Sequence, residues 1–318
     1  MYIGIDLGGT NTAIGLVDDN CNIVRKGSVP TERKKSFEEI VKDMAELTTK
    51  LAKEEGIKPS EITQIGIGSP GALNQDKTGI VFASSFPTFR NVSLLDELRK
   101  YFPNADVCVE NDANAAAYGE LIAGAAKGLS HVVIVTLGTG VGGGIIIDKK
   151  ILSGFNCAAG ELGHMVIDMN GIPCECGRRG CWEVYASATA LIKQTKEAAI
   201  ANPDSAIWEI VDGDLEKVNG KTAFDAAEKG DETAKEVVDK YIYYLSVGIA
   251  DVVNLFQPEA IVIGGGVSKQ GEVLLQPIRE FVAKESYGGS LPRAKIMAAK
   301  LGNDAGIIGA AMLWQQKQ

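Results

Sequence analysis

Three things are missing from this 318-residue sequence, and each absence narrows what it can be. No block of like charge interrupts it, although its formal net charge is −9. An acidic, evenly mixed surface argues against nucleic acid or an anionic membrane as the main partner. It leaves an anionic substrate open, because local positive sites can exist on an acidic protein. No basic-then-apolar stretch follows the opening "MYIGID", so no secretory signal is expected and the default location is cytoplasmic. No apolar run reads as a membrane span. The longest, "HVVIVTLGTGVGGGIII", is broken by threonines and glycines into two short strands. Linkers and low-complexity segments are also absent. With 45% hydrophobic and 23% charged residues, the composition is that of a globular chain long enough for one large or two ordinary domains.

Cysteine is scarce and unevenly placed. Three of the six cysteines, and one of the two histidines, fall in "HMVIDMNGIPCECGRRGCWE", residues 164–183. In a reducing compartment such a cluster points to metal or redox chemistry rather than disulfides. Cys21 and Cys108 stand alone in apolar surroundings and read as inert thiols.

What is present alternates short β-rich runs with helical ones. "MYIGIDLGGTNTAIGLV" reads as strand, glycine turn, strand. A helix is expected over 36–55, with Ser36 as N-cap and Glu39 completing a capping box. "ITQIGIGSPG" is a strand entering a loop, and a second helix is expected over 93–101. The strand "DVCVEN" then runs into the alanine-rich helix "DANAAAYGELIAGAA", entered through Asn111 and Asp112. From 131, "HVVIVTLGTGVGGGIIID" repeats the opening layout with its glycine turn in register, which suggests two related lobes. A helix is expected from Ala186, mixed helical structure over 203–230, and a long helix over 231–256 carrying Val237, Val238, Tyr241, Ile242, Leu245, Ile249, Val252, Val253 and Phe256 at helical spacing. "EAIVIGGGVS" is a buried strand entering a glycine loop. The last helix, "NDAGIIGAAMLW", is expected to be capped by Asn303 or Asp304.

Three glycine turns offer backbone N–H groups to an anion: Gly8, Gly9, Thr10 and Thr12 beside Asp6; Gly138, Thr139, Gly140 and Gly142; and Gly264 to Gly266. Hairpins also use glycine for geometry alone, but three such turns, two of them in matching repeats, favour a nucleotide site. "GTGVGG" satisfies G-x-G-x-x-G formally. A strand, "IIID", follows where a dinucleotide site needs a helix. No glycine run is followed by G-K-[ST], so a Walker-type loop is excluded as well.

Asn111 and Asp112 mark a strand end and helix start, where the plain reading is an N-cap. The alternative is a general base, with the helix N-terminus keeping the carboxylate ionised. Phosphoryl transfer to an alcohol takes up the hydroxyl proton late, so such a base needs no strongly raised pKa. Cys174, Cys176 and Cys181 follow C-x-C-x4-C, with His164 ten residues upstream and Gly177 and Gly180 inside the loop. Three thiolates and one imidazole complete a tetrahedral zinc set and leave no open position for catalysis. The alternative is a trio of unligated thiols. Taken alone, Glu161 and Glu183 read as solvated acids.

Taken together, "GIDLGGTNT", "GIGSPG", "ENDANAAAYGE", "LGTGVGGGIIIDKKILSGFNCAAGELGHM", "CECGRRGCWE" and "AIVIGGGV" resemble the ROK family of sugar kinases and sugar-responsive repressors in order and spacing, over essentially the whole chain. The zinc motif C-x-C-G-x-x-G-C-x-E is highly specific, and "CWEVYASATAL" is similar to the family's bacterial ATP-dependent glucokinases. The resemblance implies a two-lobed α/β fold of the actin-like, ribonuclease H-like class, with a cleft and a zinc-binding loop. The lobes are expected at 1–117 plus 303–318 and at 118–302. It further implies a homodimer, with a tetramer as the variant, and transfer of the ATP γ-phosphate to a hexose 6-hydroxyl with Mg²⁺ bridging the phosphates.

Carried over by motif, Asp112 is the catalytic base. Asn111, Glu161, His164 and Glu183 bind sugar hydroxyls together with the backbone around Gly71, and Gly140 borders the same site. Asp6, Gly8, Gly9, Thr10, Asn11, Thr12, Gly138, Thr139 and Gly140 serve the phosphates, and Gly265 and Gly266 the adenosine. His164, Cys174, Cys176 and Cys181 hold a structural Zn²⁺, with the second ring nitrogen of His164 facing the sugar.

The chain departs from the family in three places. "ASSFPTFRNVSL" stands where the glucokinases carry an Asn-Leu-Gly-Trp-like run, so Ser84 or Ser85 is expected to replace an asparagine contact. Asn11 stands where lysine is common. Ala72 stands where the N-acylmannosamine kinases carry arginine, which favours an unsubstituted hexose. Glucose is the expected acceptor. A kinase for N-acetylglucosamine, mannose or fructose is the alternative, and a sugar-sensing repressor the distant one. The acidic charge and the early phosphate turn speak against the repressor.

Overall fold

The computed structural model describes residues 1–83, 86–289 and 291–317. Chain packing divides into two compact units. One comprises Met1–Val132, Gly144–Gly160 and Lys300–Gln318; the other comprises Val133–Gly143 and Glu161–Ala299.

The chain opens with an antiparallel meander of β1 (Tyr2–Leu7), β2 (Asn11–Val17) and β3 (Ile23–Pro30). Helix α1 (Phe37–Glu54) then leads to β4 (Gln64–Ser69). A small antiparallel sheet follows, made of β5 (Ala72–Leu73), β6 (Gly79–Phe82) and β7 (Arg90–Ser93). Helix α2 (Leu94–Arg99), β8 (Asp106–Asn111) and α3 (Asp112–Ile122) complete this run. The first large sheet has the order β3-β2-β1-β4-β8. Its central strands β1 and β4 are mostly buried on both faces, whereas β3 alternates half-buried and exposed residues along its length, as an edge strand with one solvated face should. The predicted capping box of α1 is present. Ser36 Oγ accepts from the Glu39 N–H at 3.2 Å, and Glu39 Oε2 from the Ser36 N–H at 2.8 Å.

Further along, β9 (Val132–Leu137), β10 (Val141–Ile147) and β11 (Lys150–Ile151) precede the helices α4 (Glu183–Ala186), α5 (Ala188–Ala201), α6 (Ile207–Ile210), α7 (Thr222–Glu228) and α8 (Glu232–Phe256). Then come β12 (Ala260–Gly265), α9 (Glu272–Glu285), β13 (Lys295–Ala298) and α10 (Asp304–Ala311). The second large sheet has the order β11-β10-β9-β12-β13. In each sheet the third, second, first, fourth and fifth strands lie side by side, so the repeat seen in the sequence is a repeat of topology.

Two helix boundaries differ from expectation. The helix expected from Ala186 is broken at Ser187, whose Oγ accepts from the Ala190 N–H and starts α5 afresh. At α10, neither Asn303 nor Asp304 caps with its side chain. Asn303 already has helical backbone angles, and Lys26 draws the Asp304 carboxylate to 2.6 Å. This helix is apolar all round and nearly every residue of it is buried. It lies so close to the first sheet that a Cβ on Gly66 would come within 1.7 Å of the Ala310 carbonyl oxygen. Among the described residues, no helix is long and apolar enough to cross a membrane.

Candidate active site

In the first unit, the β1–β2 turn is closed by its own backbone. Gly8 N–H donates to the carbonyls of Asp6 and Asn11 at 3.2 and 3.1 Å. Thr10 and Asn11 are exposed, and Gly8 and Gly9 half-buried. Thr12 is buried and its hydroxyl pairs with that of Thr31 at 2.7 Å, so it ties the turn to the segment after β3. Thr31 N–H also donates to the Thr10 carbonyl at 2.7 Å. Asp6 is half-buried near the end of β1, between the fully buried Ile5 and Leu7. Burial, and then the charge of Asp112, push its carboxyl up to about 6.

Strand β8 delivers Asn111 and Asp112 to the entrance of α3. Asn111 is the N-cap: its Oδ1 accepts from the N–H groups of Ala113 and Asn114 at 2.9 and 3.2 Å. That leaves its amide NH₂ as the free donor. Asp112 is half-buried at the first helical position, and its Oδ1 accepts from the Ala113 N–H at 2.8 Å. Expectation had the helix terminus dominating its titration. Burial outweighs the backbone N–H bonds, and the carboxyl titrates above its ordinary value. Gly71 follows β4 with φ 105°, and a Cβ there would lie 2.4 Å from the Phe82 carbonyl oxygen. Ser84 lies outside the described residues.

Sequence reading missed the group beside this entrance. Glu110 is 1% exposed, and its Oε1 accepts from the Asn111 N–H and from Asn114 Nδ2, each at 3.0 Å. Its Oε2 receives Lys77 Nζ at 2.5 Å and Ser153 Oγ at 3.2 Å. Glu110 stands inside "ENDANAAAYGE", but nothing in the spacing announces a lysine 33 residues away.

In the second unit, the β9–β10 turn is closed by Gly138 N–H on the Gly140 carbonyl at 3.0 Å, and Gly138 and Thr139 are exposed. Gly265 and Gly266 are exposed too. Gly265 has φ 88°, and a Cβ on it would sit 2.2 Å from the Leu137 carbonyl oxygen, so the second and third glycine turns lie side by side. Gly140 is packed against Glu183, whose Oε2 lies 2.5 Å from where a Cβ would stand. Glu161 is exposed, at the start of the short helical turn Leu162–His164.

The donor atoms of His164, Cys174, Cys176 and Cys181 all lie within 4.8 Å of one another. Cys176 Sγ and Cys181 Sγ are 3.5 Å apart, and Cys174 Sγ is 3.8 Å from His164 Nδ1. Two sulfurs bound tetrahedrally to zinc stand about 3.8 Å apart, so the set fits the ion. The loop is built for this convergence. Cys174 N–H donates to the Arg178 carbonyl, and Gly177 and Gly180 take φ of 88° and 75°. Arg178 donates to the His164 carbonyl at 2.6 Å. Contacts of its backbone N–H and its side chain with Cys176 pull that thiol down to about 6, whereas burial pushes the Cys174 thiol up to about 12. Glu183 Oε1 accepts from the Cys174 S–H at 3.1 Å and lies 3.3 Å from His164 Nδ1, so this loop positions both His164 and Glu183. Next to the last cysteine, the fully buried Trp182 donates from Nε1 to the Tyr244 carbonyl of α8 at 2.9 Å.

A glucokinase of Thermotoga maritima is 37% identical over 315 residues, spanning 99% of this chain and 97% of that one. A glucokinase of Streptomyces coelicolor is 40% identical over 319 residues, spanning 98% and 97%. Among solved structures, a ROK family glucokinase from Streptomyces griseus in complex with glucose and AMPPNP superposes with a TM-score of 0.82 at 38% identity, covering 98% of each chain. The fold is the actin-like one of the ROK sugar kinases. With residues 2–317 matching the family throughout, the chain belongs to the ROK family.

Proposed function

We propose that the chain is a glucokinase that transfers the γ-phosphate of ATP to the 6-hydroxyl of glucose. The observation that carries this reading is Asp112: a half-buried carboxylate at a helix entrance, beside Asp6 and next to the N-cap Asn111. Full-length likeness to glucokinases supports the choice of sugar and donor.

In this reading Asp112 Oδ1 is held by the Ala113 N–H, which leaves Oδ2 to take up the proton of the acceptor hydroxyl as its oxygen bonds to phosphorus. General-base help of this kind is worth about 10²–10⁴ in rate. Asn111 donates its free NH₂ to a sugar hydroxyl. The turn that Gly8 closes offers Gly9, Thr10 and Asn11 to the phosphates; in the second unit the turn that Gly138 closes offers Thr139 and Gly140, and Gly265 and Gly266 leave room for adenosine. Asp6 is placed to hold Mg²⁺, which supplies charge neutralisation on the phosphates when bound.

Zinc at His164, Cys174, Cys176 and Cys181 belongs to the same proposal. His164 would ligate through Nδ1, the nitrogen that faces Cys174, and keep Nε2 for a sugar hydroxyl. Cys174, as a thiolate ligand, would have no proton to give, which would free Glu183 Oε1 for a hydroxyl of the sugar. Each buried hydroxyl partner left unpaired by a wrong sugar costs about 1–3 kcal/mol. A cytoplasmic location and a homodimer complete the reading, the second checked by light scattering.

The deciding experiment is ADP release with ATP and Mg²⁺ over glucose, mannose, fructose and N-acetylglucosamine. Glucose is expected to give the highest kcat/KM; another sugar in first place overturns the acceptor. Asp112→Asn is expected to bind glucose and to lose turnover, and near-normal turnover in that variant removes Asp112 from its role.

A further inference from the structure

Glu110 is a buried carboxylate for which neither the proton transfer nor the sugar contacts have a use, and it is costly to keep. A strand position 1% exposed is ordinarily apolar, and a buried ion pair there adds little net stability over a well-packed hydrophobic group. Both of its oxygens are engaged. Oε1 holds the Asn111 N–H and the Asn114 side chain, the residues on either side of the first turn of α3. Asp112 lies between them. Oε2 holds Lys77 Nζ and Ser153 Oγ, and Lys77 Nζ and Ser153 Oγ are themselves 2.7 Å apart.

The two outer members are fixed in turn. Lys77 lies in the β5–β6 turn with φ 52°. Asn74 Oδ1 receives the N–H groups of Thr78 and Gly79 there, and the Lys77 carbonyl receives the Val109 N–H at 2.8 Å. Ser153 is buried, and its carbonyl receives the Ala159 N–H at 3.0 Å. That bond closes the loop that runs on to Glu161.

We propose that Lys77, Glu110 and Ser153 form a positioning network for phosphoryl transfer, in which Glu110 sets the entrance of α3 and with it the direction of the Asp112 carboxylate. This rests on the reading of Asp112 as the base. The Lys77 ammonium sits on Oε2 of the Glu110 carboxylate, and the carboxylate accepts at both oxygens, so the lysine and the entrance of α3 are tied through one side chain. The network touches no reacting atom. It acts through Asp112, and displacement of a reacting group by about 1 Å costs on the order of 10²-fold in rate.

The test measures kcat and the KM for glucose and for ATP, with circular dichroism as the folding control, in Lys77→Met, Lys77→Arg, Ser153→Ala and Asp112→Asn. Lys77→Met is expected to lower kcat by roughly 10–100-fold with both KM values within about threefold of wild type. Lys77→Arg is expected to restore most of that loss, because it returns the charge. Ser153→Ala keeps the ion pair and removes two hydrogen bonds, one from Lys77 and one to Glu110, and kcat is expected to fall about 2–10-fold. A folded Lys77→Met with kcat within twofold of wild type overturns the network, as does a loss that Lys77→Arg leaves in place. If Lys77→Met does not fold, Ser153→Ala decides, and unchanged kcat there overturns the network. Near-normal turnover in Asp112→Asn sinks the base itself; an inactive Asp112→Asn beside an unimpaired Lys77→Met sinks only the network.

Discussion

Replacing Asp6 by asparagine should make the first unit more stable while abolishing activity, and the pH dependence of that gain identifies its cause. Burial and the nearby Asp112 raise the Asp6 carboxyl from 3.8 to about 6 in the folded chain. Between those values the folded chain holds a proton that the unfolded chain has lost. Stability therefore falls as pH rises through that window, and the whole cost is in place above it. A shift of this size corresponds to about 3 kcal/mol as an upper bound. Asp6 is only half-buried, so solvent relieves part of it, and about 1–2 kcal/mol is expected at pH 8.

Asparagine has the same shape without the charge, so Asp6→Asn recovers that amount. With a urea slope of about 3 kcal/mol/M for a chain of this size, the midpoint of the first transition should rise by about 0.3–0.7 M. The measurement is urea unfolding by circular dichroism at pH 8.0 and pH 4.5, without nucleotide or divalent cation. At pH 4.5 the gain should shrink to roughly a third, because wild type is then largely protonated in the folded state. Added Mg²⁺ should stabilise wild type and leave the variant unmoved. A variant less stable than wild type at pH 8.0, or a gain equal at both pH values, refutes the reasoning.

Three further substitutions test other parts of the molecule. Cys176→Ser removes one of the four ligands, a thiolate; bound zinc measured by elemental analysis should fall well below one per chain, the KM for glucose should rise, and unchanged zinc content would contradict the ligand set. Gly140→Ala puts a methyl group 2.5 Å from Glu183 Oε2, at the free end of a movable side chain. The fold should tolerate it, within about 0.5 kcal/mol by thermal unfolding, while the KM for glucose rises about 5–100-fold, as expected from one displaced sugar partner; an unchanged KM would remove Glu183 from the sugar site. Gly248→Ala drives a methyl group to 2.2 Å from the ring of the fully buried Trp182, which has nowhere to go. It should cost about 1–3 kcal/mol or more in stability, and a variant as stable as wild type would mean that α8 and the ring part more easily than their packing implies.

Most of the fold is legible in the sequence because its signals are local. Ser36 and Glu39 announce α1 by a capping box that needs only three residues of separation. The register of the two glycine turns announces a repeat, which the two sheets then display as one strand order. Where reading fails, either a local cap goes unrecognised or a distant partner decides. α5 starts after Ser187 rather than at Ala186 because Ser187 offers the capping oxygen, a choice the alanine-rich run hides. Asp304 looks like a cap, but Lys26, nearly the whole chain away, draws it off.

The candidate site divides along the same line. The residues proposed to act directly sit in compact motifs, since a turn, a strand end or a metal loop must place several groups within a few residues of one another. His164, the three cysteines and Glu183 fall within twenty residues, and the structure brings the four metal donors together with Glu183 against them. The supports of those residues carry no such mark. Glu110 is held by Lys77 and Ser153, which come from two different turns, and each of the three could be read alone as a solvated polar residue. Gly140 reads as a phosphate-turn glycine, yet its missing side chain is also what leaves room for the Glu183 carboxylate. Trp182 is fully buried, and its ring nitrogen also fastens the cysteine loop to α8 through the Tyr244 carbonyl. In this chain, therefore, the groups proposed to touch substrate are marked by sequence spacing, while the groups that aim them are marked only by burial and by which polar atoms meet.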